Sequence, residues 1–151
     1  MTLERILLAV GPNDIDRADE ILETVLEVAK PTGATVILSH VFTEDEYEDV
    51  LEQLNLDTSD ESVDADRVAD RYAGVQDFTS GFEEADIEYE IRGSVGEHGE
   101  MIVDQATAFE ADRVIVAGRT RSPVGKALFG STAQTVLLSA PCPVTFVCSE
   151  N

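Results

Sequence analysis

Residues 114–132 read VIVAGRTRSPVGKALFGST and are the most informative part of the chain. Their apolar start is typical of a buried strand, and the apolar run stops at Gly118. A helix is predicted to begin near Gly130. The loop between them carries three cations, Arg119, Arg121 and Lys126. A strand, a cationic loop and a helix start in this order favour an anion-binding turn in an α/β protein.

The charge pattern of the chain makes this loop stand out. The chain has 31 Asp and Glu residues against 10 Lys and Arg, yet no acid lies between Arg113 and Ser149. A loop that is free of acids in so acidic a chain favours an anion site. The absence of acids has a second sufficient cause, because the same segment contains two predicted strands in which carboxylates would be buried.

The overall acidity is informative about solvent and partners. The net charge is −21, and Lys30 and Lys126 are the only lysines. Excess carboxylate with scarce lysine predicts adaptation to molar salt, where the Debye length is about 3 Å and self-repulsion is screened. An ordinary acidic protein is the alternative. Nucleic acid and anionic membranes are not expected as partners, because both would be repelled.

Compartment signals are few. The first apolar run, residues 6–10, is too short for a signal segment or a membrane span. Cys142 and Cys148 lie in one apolar run, too far apart along an extended chain to form a disulfide, and we expect both to be small buried hydrophobes. These features predict a cytoplasmic protein.

Apolar runs and helical patterns alternate along the chain. Strands are predicted over residues 3–10, 34–41, 87–92, 112–117 and 144–148, with the alternating third strand near the edge of the sheet. Helices are predicted from Asn13 or Asp14 to about Lys30 (ended by Pro31 and Gly33), over about 64–84, after a 93–99 loop, and over 132–140. Residues 42–62 show no strong period. The alternation predicts one α/β domain over residues 1–151 with a parallel sheet and right-handed crossovers.

Individual polar residues carry their own expectations. His40 ends an apolar strand and is expected in the core, whereas His98 lies in the acidic loop GEHGE and is expected to be solvated. Ser131 and Gln134 have the spacing of a helix capping box. The acidic residues from 44 to 49 predict a hydrated face. No residue pattern indicates a nucleophile, a general base or a metal site, so we do not predict a strong catalyst.

Several motifs of the chain resemble the universal stress protein family. They are LLAV in the first strand, SHV ending the second, ADRVIVAG, the R-S-x-x-G-K loop, FGSTAQTVL and the ending APCPVTFV. The resemblance covers almost the whole chain and is strongest over residues 111–147. It implies a five-stranded parallel sheet with helices on both faces, flavodoxin-like or Rossmann-like, of the adenine nucleotide alpha hydrolase-like type. It also implies a homodimer through the last strand, from Val144 to Cys148.

The family divides into members that bind ATP and members that do not. In the binders, an Asp after the first strand and a G-x2-G-x9-G-[ST] loop after the fourth hold the nucleotide. This chain has Gly11 where that Asp stands, and its loop is one residue short. Gly118, Gly130 and Ser131 match the loop, and Val41 matches the residue that contacts adenine. The resemblance thus implies a nucleotide site in which the phosphate-binding residues are partly kept. The part that binds adenine and ribose lacks its Asp.

The residues themselves predict a ligand site where the strands end. Ligands of open α/β sheets bind at the carboxyl ends of the strands, and glycines with a helix N-terminus suit a phosphate. The spacing is not that of a Walker P-loop, because Gly118 precedes Gly125 by seven positions and Ala127 replaces the Ser/Thr. The candidate binding residues, with ATP as the candidate cofactor, are Val10, Gly11, Val41, Gly118, Arg119, Arg121, Gly125, Lys126, Gly130, Ser131 and Thr132.

Three functions remain open from the sequence. The first is a dimeric stress-response module that binds ATP or another phosphate-bearing ligand. The second is a family member without nucleotide that acts through dimerisation and protein partners, which Gly11 in place of Asp favours. The third is a slow ATPase, and the missing base or metal cluster counts against it.

Overall fold

The computed structural model describes residues 3–11, 14, 17–54, 65–71, 73–119 and 130–149. Three of the candidate binding residues, Arg121, Gly125 and Lys126, lie outside these ranges, as does Asn13. The predictions made for them remain predictions.

Five parallel strands form one sheet in the order β3-β2-β1-β4-β5. The strands are β1 (Arg5–Val10), β2 (Thr35–Phe42), β3 (Tyr89–Val95), β4 (Arg113–Arg119) and β5 (Val144–Ser149). The predicted parallel α/β sheet is confirmed, and so is the edge position of β3. The helices are α1 (Ala18–Thr32), α2 (Glu44–Gln53), α3 (Ala65–Arg71), α4 (Ala73–Glu84), α5 (His98–Ala108) and α6 (Ser131–Ser139).

In the central strand β1, every side chain from Ile6 to Val10 is buried, on whichever face of the sheet it lies. Ile6, Leu8 and Val10 pack towards α1 and α4, whereas Leu7 and Ala9 pack towards α5 and α6. Helices therefore cover both faces of the sheet. This double burial is the reason why β1 and β2 read as continuous apolar runs rather than as alternating ones.

The order of the strands creates a crevice beside β1. The chain winds from β1 to β2 and β3 on one side and continues with β4 and β5 on the other, so the winding reverses between β1 and β4. At such a switch point the connections leave the sheet in opposite directions and open a cleft at the carboxyl ends of the strands. Val10, Phe42 and Arg119 are the last residues of the three strands around it.

The first helix differs from its prediction at both ends. Asp14 does not cap α1, because its carboxylate instead accepts hydrogen bonds from Gly11 and Arg17. At the other end, α1 continues through Pro31, and it is Gly33, with a φ of 69°, that provides the left-handed C-cap. Glycine adopts this conformation without the steric cost that a Cβ brings.

The region 42–62, predicted to be the least regular, contains a capped helix. Thr43 Oγ accepts the Glu46 N–H, and the Glu46 carboxylate accepts the Thr43 N–H, which completes a capping box for α2. Val50 and Leu51 form its short buried side, while the acidic residues 44, 45, 48 and 49 are exposed as predicted. The sequence shows no helical hydrophobic period here because so few residues of α2 are apolar.

The single helix predicted over 64–84 is divided into α3 and α4. Val68, Val75 and Phe82 are buried as their spacing predicts, and Phe78 joins them. The start of α3 lies directly on β3, since a Cβ built on Gly93 would lie 1.9 Å from the Ala65 carbonyl oxygen. The predicted 93–99 loop is also shorter, because Gly93 belongs to β3 and Gly99 to α5.

Two smaller expectations fail at the C-terminal end of the chain. Gly118 and Arg119 belong to β4 rather than to the following loop, because the ladder with β5 extends to Arg119. Cys142 and Cys148 are free as expected, but Cys142 is half-buried and Cys148 is exposed. Cys148 is exposed because β5 is the edge of the described sheet.

Candidate functional site

A pocket of about 510 Å³ opens at the switch point. Its walls come from the ends of β1, β2 and β4 and from the first residues of α5 and α6. Seven of the candidate binding residues line it: Val10, Gly11, Val41, Gly118, Gly130, Ser131 and Thr132. Residues from four separate segments thus meet in one pocket, of a size that suits a small-molecule ligand.

Asp14 is a residue of this pocket that the sequence analysis did not assign to it. Its Oδ2 accepts the Gly11 N–H at 2.8 Å, and the Asp14 N–H donates to the Gly11 carbonyl at 3.0 Å, which closes a turn at the end of β1. Asp14 is 8% exposed. The turn places a carboxylate in the wall of the pocket three residues after the position at which the family pattern has its Asp. The one feature of the sequence that could have indicated this role for Asp14 is the presence of an acidic residue in the first turn after β1.

Arg17 holds this carboxylate from the other side. Its Nη2 donates to Asp14 Oδ1 at 2.8 Å, and both side chains are almost covered, with 14% of Arg17 and 11% of Asp14 exposed. Burial raises the pKa of Asp14, while the Gly11 N–H and Arg17 oppose that rise. Within the described residues, the buried Nη1 of Arg17 has no hydrogen-bond partner. The pocket therefore contains a desolvated ion pair of its own.

The base of the pocket carries a neutral polar pair. Ser39 in β2 donates a hydrogen bond to the Gln105 side-chain oxygen in α5. Both residues are buried, and Ser39 lines the pocket. Because the Ser39 oxygen keeps its acceptor capacity, it offers a ligand a hydrogen-bond acceptor in an otherwise apolar base formed by Ala9, Val41, Ile102 and Val116.

The start of α6 presents free backbone donors to the pocket. The helix begins at Ser131 with Gly130 as its N-cap, and no side chain of the described residues caps it. The predicted Ser131–Gln134 capping box is wrong, because Ser131 is already the first helical residue. The first N–H groups of α6 and the positive end of its dipole therefore lie at the pocket, and none of the described side chains acts as a cap for them.

His98 lies in the pocket wall and is not the solvated loop residue that we expected. It is the first residue of α5, and its Nε2 lies 2.9 Å from Glu46 Oε1. About a third of each side chain is exposed, 30% for His98 and 34% for Glu46. His40, by contrast, is buried as predicted, and burial lowers its pKa to about 4. The contact between His98 and Glu46 could not be predicted from local sequence, because the two residues lie 52 positions apart.

The fold and the pocket together define the class of the protein. A five-stranded parallel sheet with a pocket at the switch point of β1 and β4 is a Rossmann-like α/β fold of the adenine nucleotide alpha hydrolase-like type. A sequence model described as "Universal stress protein family" matches residues 2–147. The chain belongs to the universal stress protein family.

Individual relatives agree with this assignment. A curated universal stress protein from Mycolicibacterium smegmatis is 36% identical over 95 residues, which are 62% of this chain and 72% of the relative. A universal stress protein structure from Archaeoglobus fulgidus is 27% identical, with a TM-score of 0.68 and coverage of 95% of this chain and 98% of that one. A second structure from that organism, in complex with dAMP, is 23% identical, with a TM-score of 0.62 and coverage of 97% and 99%.

Clusters of metal ligands and membrane-spanning helices are both absent from the described residues. Among these residues, no group of three or more His, Cys, Asp and Glu side chains is arranged to hold a metal ion. No helix in the described part of the chain is both long and apolar enough to cross a membrane.

Proposed function

We propose that this protein binds an adenine nucleotide in the pocket at the switch point and acts as a stress-response regulatory module of one domain. The observation that carries the proposal is a pocket lined both by the start of α6, which no described side chain caps, and by the buried carboxylate of Asp14. The helix start attracts a phosphate, and a carboxylate accepts hydrogen bonds from ribose hydroxyls or an amino group. The dAMP complex of the relative from Archaeoglobus fulgidus supports this ligand class.

Asp14 compensates for the absent Asp at Gly11 in this proposal. Gly11, which has no side chain, directly follows β1, and the turn that it begins returns the Asp14 carboxylate to the Gly11 N–H. A carboxylate accepts up to about four hydrogen bonds. Gly11 and Arg17 occupy two of these, so the carboxylate retains acceptor capacity for a ligand.

The experiment is calorimetric titration of the protein with AMP and with ATP in molar KCl. Gly130→Val is the test variant, because no atom of the described residues lies within 4 Å of a Cβ at Gly130 and the residue has a φ of −63°, which any residue adopts. The valine should therefore leave the fold intact and crowd the phosphate site. We expect Gly130→Val to weaken AMP binding at least about tenfold, the equivalent of one lost charge-assisted hydrogen bond.

Ser139→Val is the matched control, since it adds a valine at the exposed far end of the same helix. It should bind AMP as the wild type does. Equal affinity of both variants, or no binding of AMP or ATP by the wild type at millimolar concentration, would contradict the proposal.

We further propose that the protein is a homodimer through β5. This strand is the edge of the described sheet, and its outer side offers unpaired backbone groups to a second chain. Leu138 on the neighbouring α6 is 79% exposed, which adds apolar surface near that edge. Light scattering in molar KCl should give the mass of two chains, and the mass of one chain would refute the dimer.

A further inference from the structure

His98 is held in the pocket wall in a way that fixes which ring nitrogen carries the proton. Its Nε2 lies 2.9 Å from Glu46 Oε1, and the same oxygen accepts the Thr43 N–H at 2.8 Å. Glu46 is a carboxylate at neutral pH: although burial acts to raise its pKa, the Thr43 N–H and His98 lower it on balance. A carboxylate only accepts hydrogen bonds, so Nε2 of His98 must carry a hydrogen.

The state of the other ring nitrogen follows from this contact. In the neutral imidazole only one nitrogen carries a hydrogen, so Nδ1 is a lone-pair acceptor. A lone pair repels a phosphate oxygen. Nδ1 becomes a donor only when the ring takes up a proton, and the ring is then an imidazolium between Glu46 and the ligand.

The position of His98 relates it to the phosphate end of the pocket. A Cβ on the next residue, Gly99, would lie 2.8 Å from the Cβ of Thr135, so α5 starts against the first turns of α6. The two helix starts thus meet at the pocket, but they differ in their free donors. Glu97 accepts the Gly99 and Glu100 N–H groups of α5, whereas none of the described side chains caps α6. The phosphate is therefore expected over α6, with His98 beside it.

We propose that His98 is a ligand-contacting residue that binds the nucleotide phosphate through Nδ1–H and takes up a proton when it does so. The inference rests on the proposed nucleotide function and adds to it a specificity for anionic ligands over neutral nucleosides. Binding of AMP then becomes linked to pH, because histidine is the side chain that changes charge between pH 5 and 8. Affinity for AMP rises as the pH falls through that range.

The charged groups around His98 are compatible with this linkage. Glu46 faces it from α2, and His40 of β2 interacts with it over a longer distance. Glu97 and Glu100 flank it in its own segment. Asp14 and Arg17 share its pocket as a neutral pair, and the described residues of α6 carry no charge. Carboxylates thus outnumber the cations among the described groups around His98.

The experiment counts the protons taken up on binding. AMP is titrated calorimetrically at pH 6.5, 7.5 and 8.5 in two buffers of different ionisation enthalpy, with adenosine as the ligand that lacks the phosphate. We expect the wild type to take up a proton with AMP but not with adenosine. Its AMP affinity should rise on lowering the pH, by at most about tenfold per pH unit, which is the limit for one linked proton.

His98→Gln is the decisive variant, because the glutamine amide can still donate to Glu46 but cannot titrate. It should bind AMP without the extra proton, and the pH dependence that remains is that of the phosphate itself, with a second pKa near 6. Its thermal unfolding should match that of the wild type. His98→Asn, which places a permanent donor near the position of Nδ1, should bind AMP with little additional pH dependence.

The outcomes separate the two proposals. Equal proton uptake by the wild type and His98→Gln, or proton uptake with adenosine, would overturn the role of His98 while leaving nucleotide binding in place. The absence of AMP binding at every pH would overturn both.

Discussion

At the scale of single residues, the pocket is organised around the pair of Asp14 and Arg17. Both side chains are nearly covered, and the pair closes at 2.8 Å. The desolvation of two charges cancels much of their attraction, so such a pair contributes little net stability. Its effect is to hold a carboxylate in a position that a free side chain would leave for solvent. We interpret the ion pair as a means of positioning a carboxylate in the pocket rather than of stabilising the fold.

Removing Arg17 should reveal the cost of burying the Asp14 carboxylate without a partner. Arg17→Met leaves the buried Asp14 carboxylate without its cation, and we expect the free energy of unfolding at pH 8 to fall by about 2 kcal/mol, which allows for the small exposure of the pair. The measurement is urea unfolding in molar KCl.

The pH dependence of this loss has a defined sign. Burial already raises the pKa of Asp14 in the folded protein, so its contribution to stability is largest at low pH and declines as the pH rises through that pKa. Without Arg17 the pKa rises further, and the loss should therefore be smaller at pH 5 than at pH 8. The double variant Asp14→Asn/Arg17→Met should recover most of the loss. A loss that is the same at both pH values would contradict this interpretation.

At the scale of elements, close contacts between backbones decide where the helices lie. The start of α3 rests on β3 at Gly93, where a Cβ would lie 1.9 Å from the Ala65 carbonyl oxygen. The Gly93 N–H also donates to Asp66 Oδ1 at 2.7 Å. A backbone neighbour cannot move aside as a flexible side chain can, so this contact requires glycine.

Gly93→Ala should therefore displace α3. We expect the free energy of unfolding to fall by about 1–3 kcal/mol, the range for overpacked sites. Gly130→Ala is the matched control, since nothing in the described part of the chain lies within 4 Å of a Cβ at that position, and it should change stability by less than about 0.5 kcal/mol. Equal stability of the two variants in urea unfolding would show that α3 does not pack on β3 as described.

The elements also show what the sequence could reveal. The strands were predictable because both faces of β1 and β2 are buried, which produces continuous apolar runs. The helix α2 was missed because its stability comes from the Thr43–Glu46 capping box rather than from an apolar stripe. The C-terminal end of β4 was misplaced because Gly118 looks like a turn residue, although it pairs with Cys148 in the sheet.

The same reasoning explains the limits of the site prediction. Gly11, Val41, Gly118 and the start of α6 could be predicted to meet, because the carboxyl ends of parallel strands always lie at one edge of the sheet. Asp14 was assigned to a helix cap, since local sequence does not reveal that a turn returns its carboxylate to Gly11. His98 and Glu46 are brought together by the tertiary fold alone.

At the scale of the whole molecule, the net charge of −21 must be reconciled with a compact fold. Self-repulsion of this size destabilises the folded state unless it is screened. At about 0.1 M salt the Debye length is about 10 Å, and at about 1 M it is about 3 Å. The predicted adaptation to molar salt therefore implies a folded state whose stability depends on salt concentration.

The thermal midpoint should rise when KCl is increased from about 0.1 M to about 1 M. The rise should be smaller at pH 4 than at pH 7, because protonation removes part of the carboxylate charge that the salt screens. A midpoint that does not depend on KCl at pH 7 would contradict the adaptation to salt.

Nucleotide binding at the switch point is the claim on which the functional account depends. The most direct test is an NMR titration of the isotope-labelled protein with AMP, which reports binding at each backbone amide. We predict that the largest shifts occur at Gly11, Val41, Gly118, Ser131 and Thr132, with small shifts at the opposite end of the sheet around Thr35 and Tyr89. The absence of shifts at millimolar AMP, or shifts centred on Thr35 and Tyr89, would contradict the account.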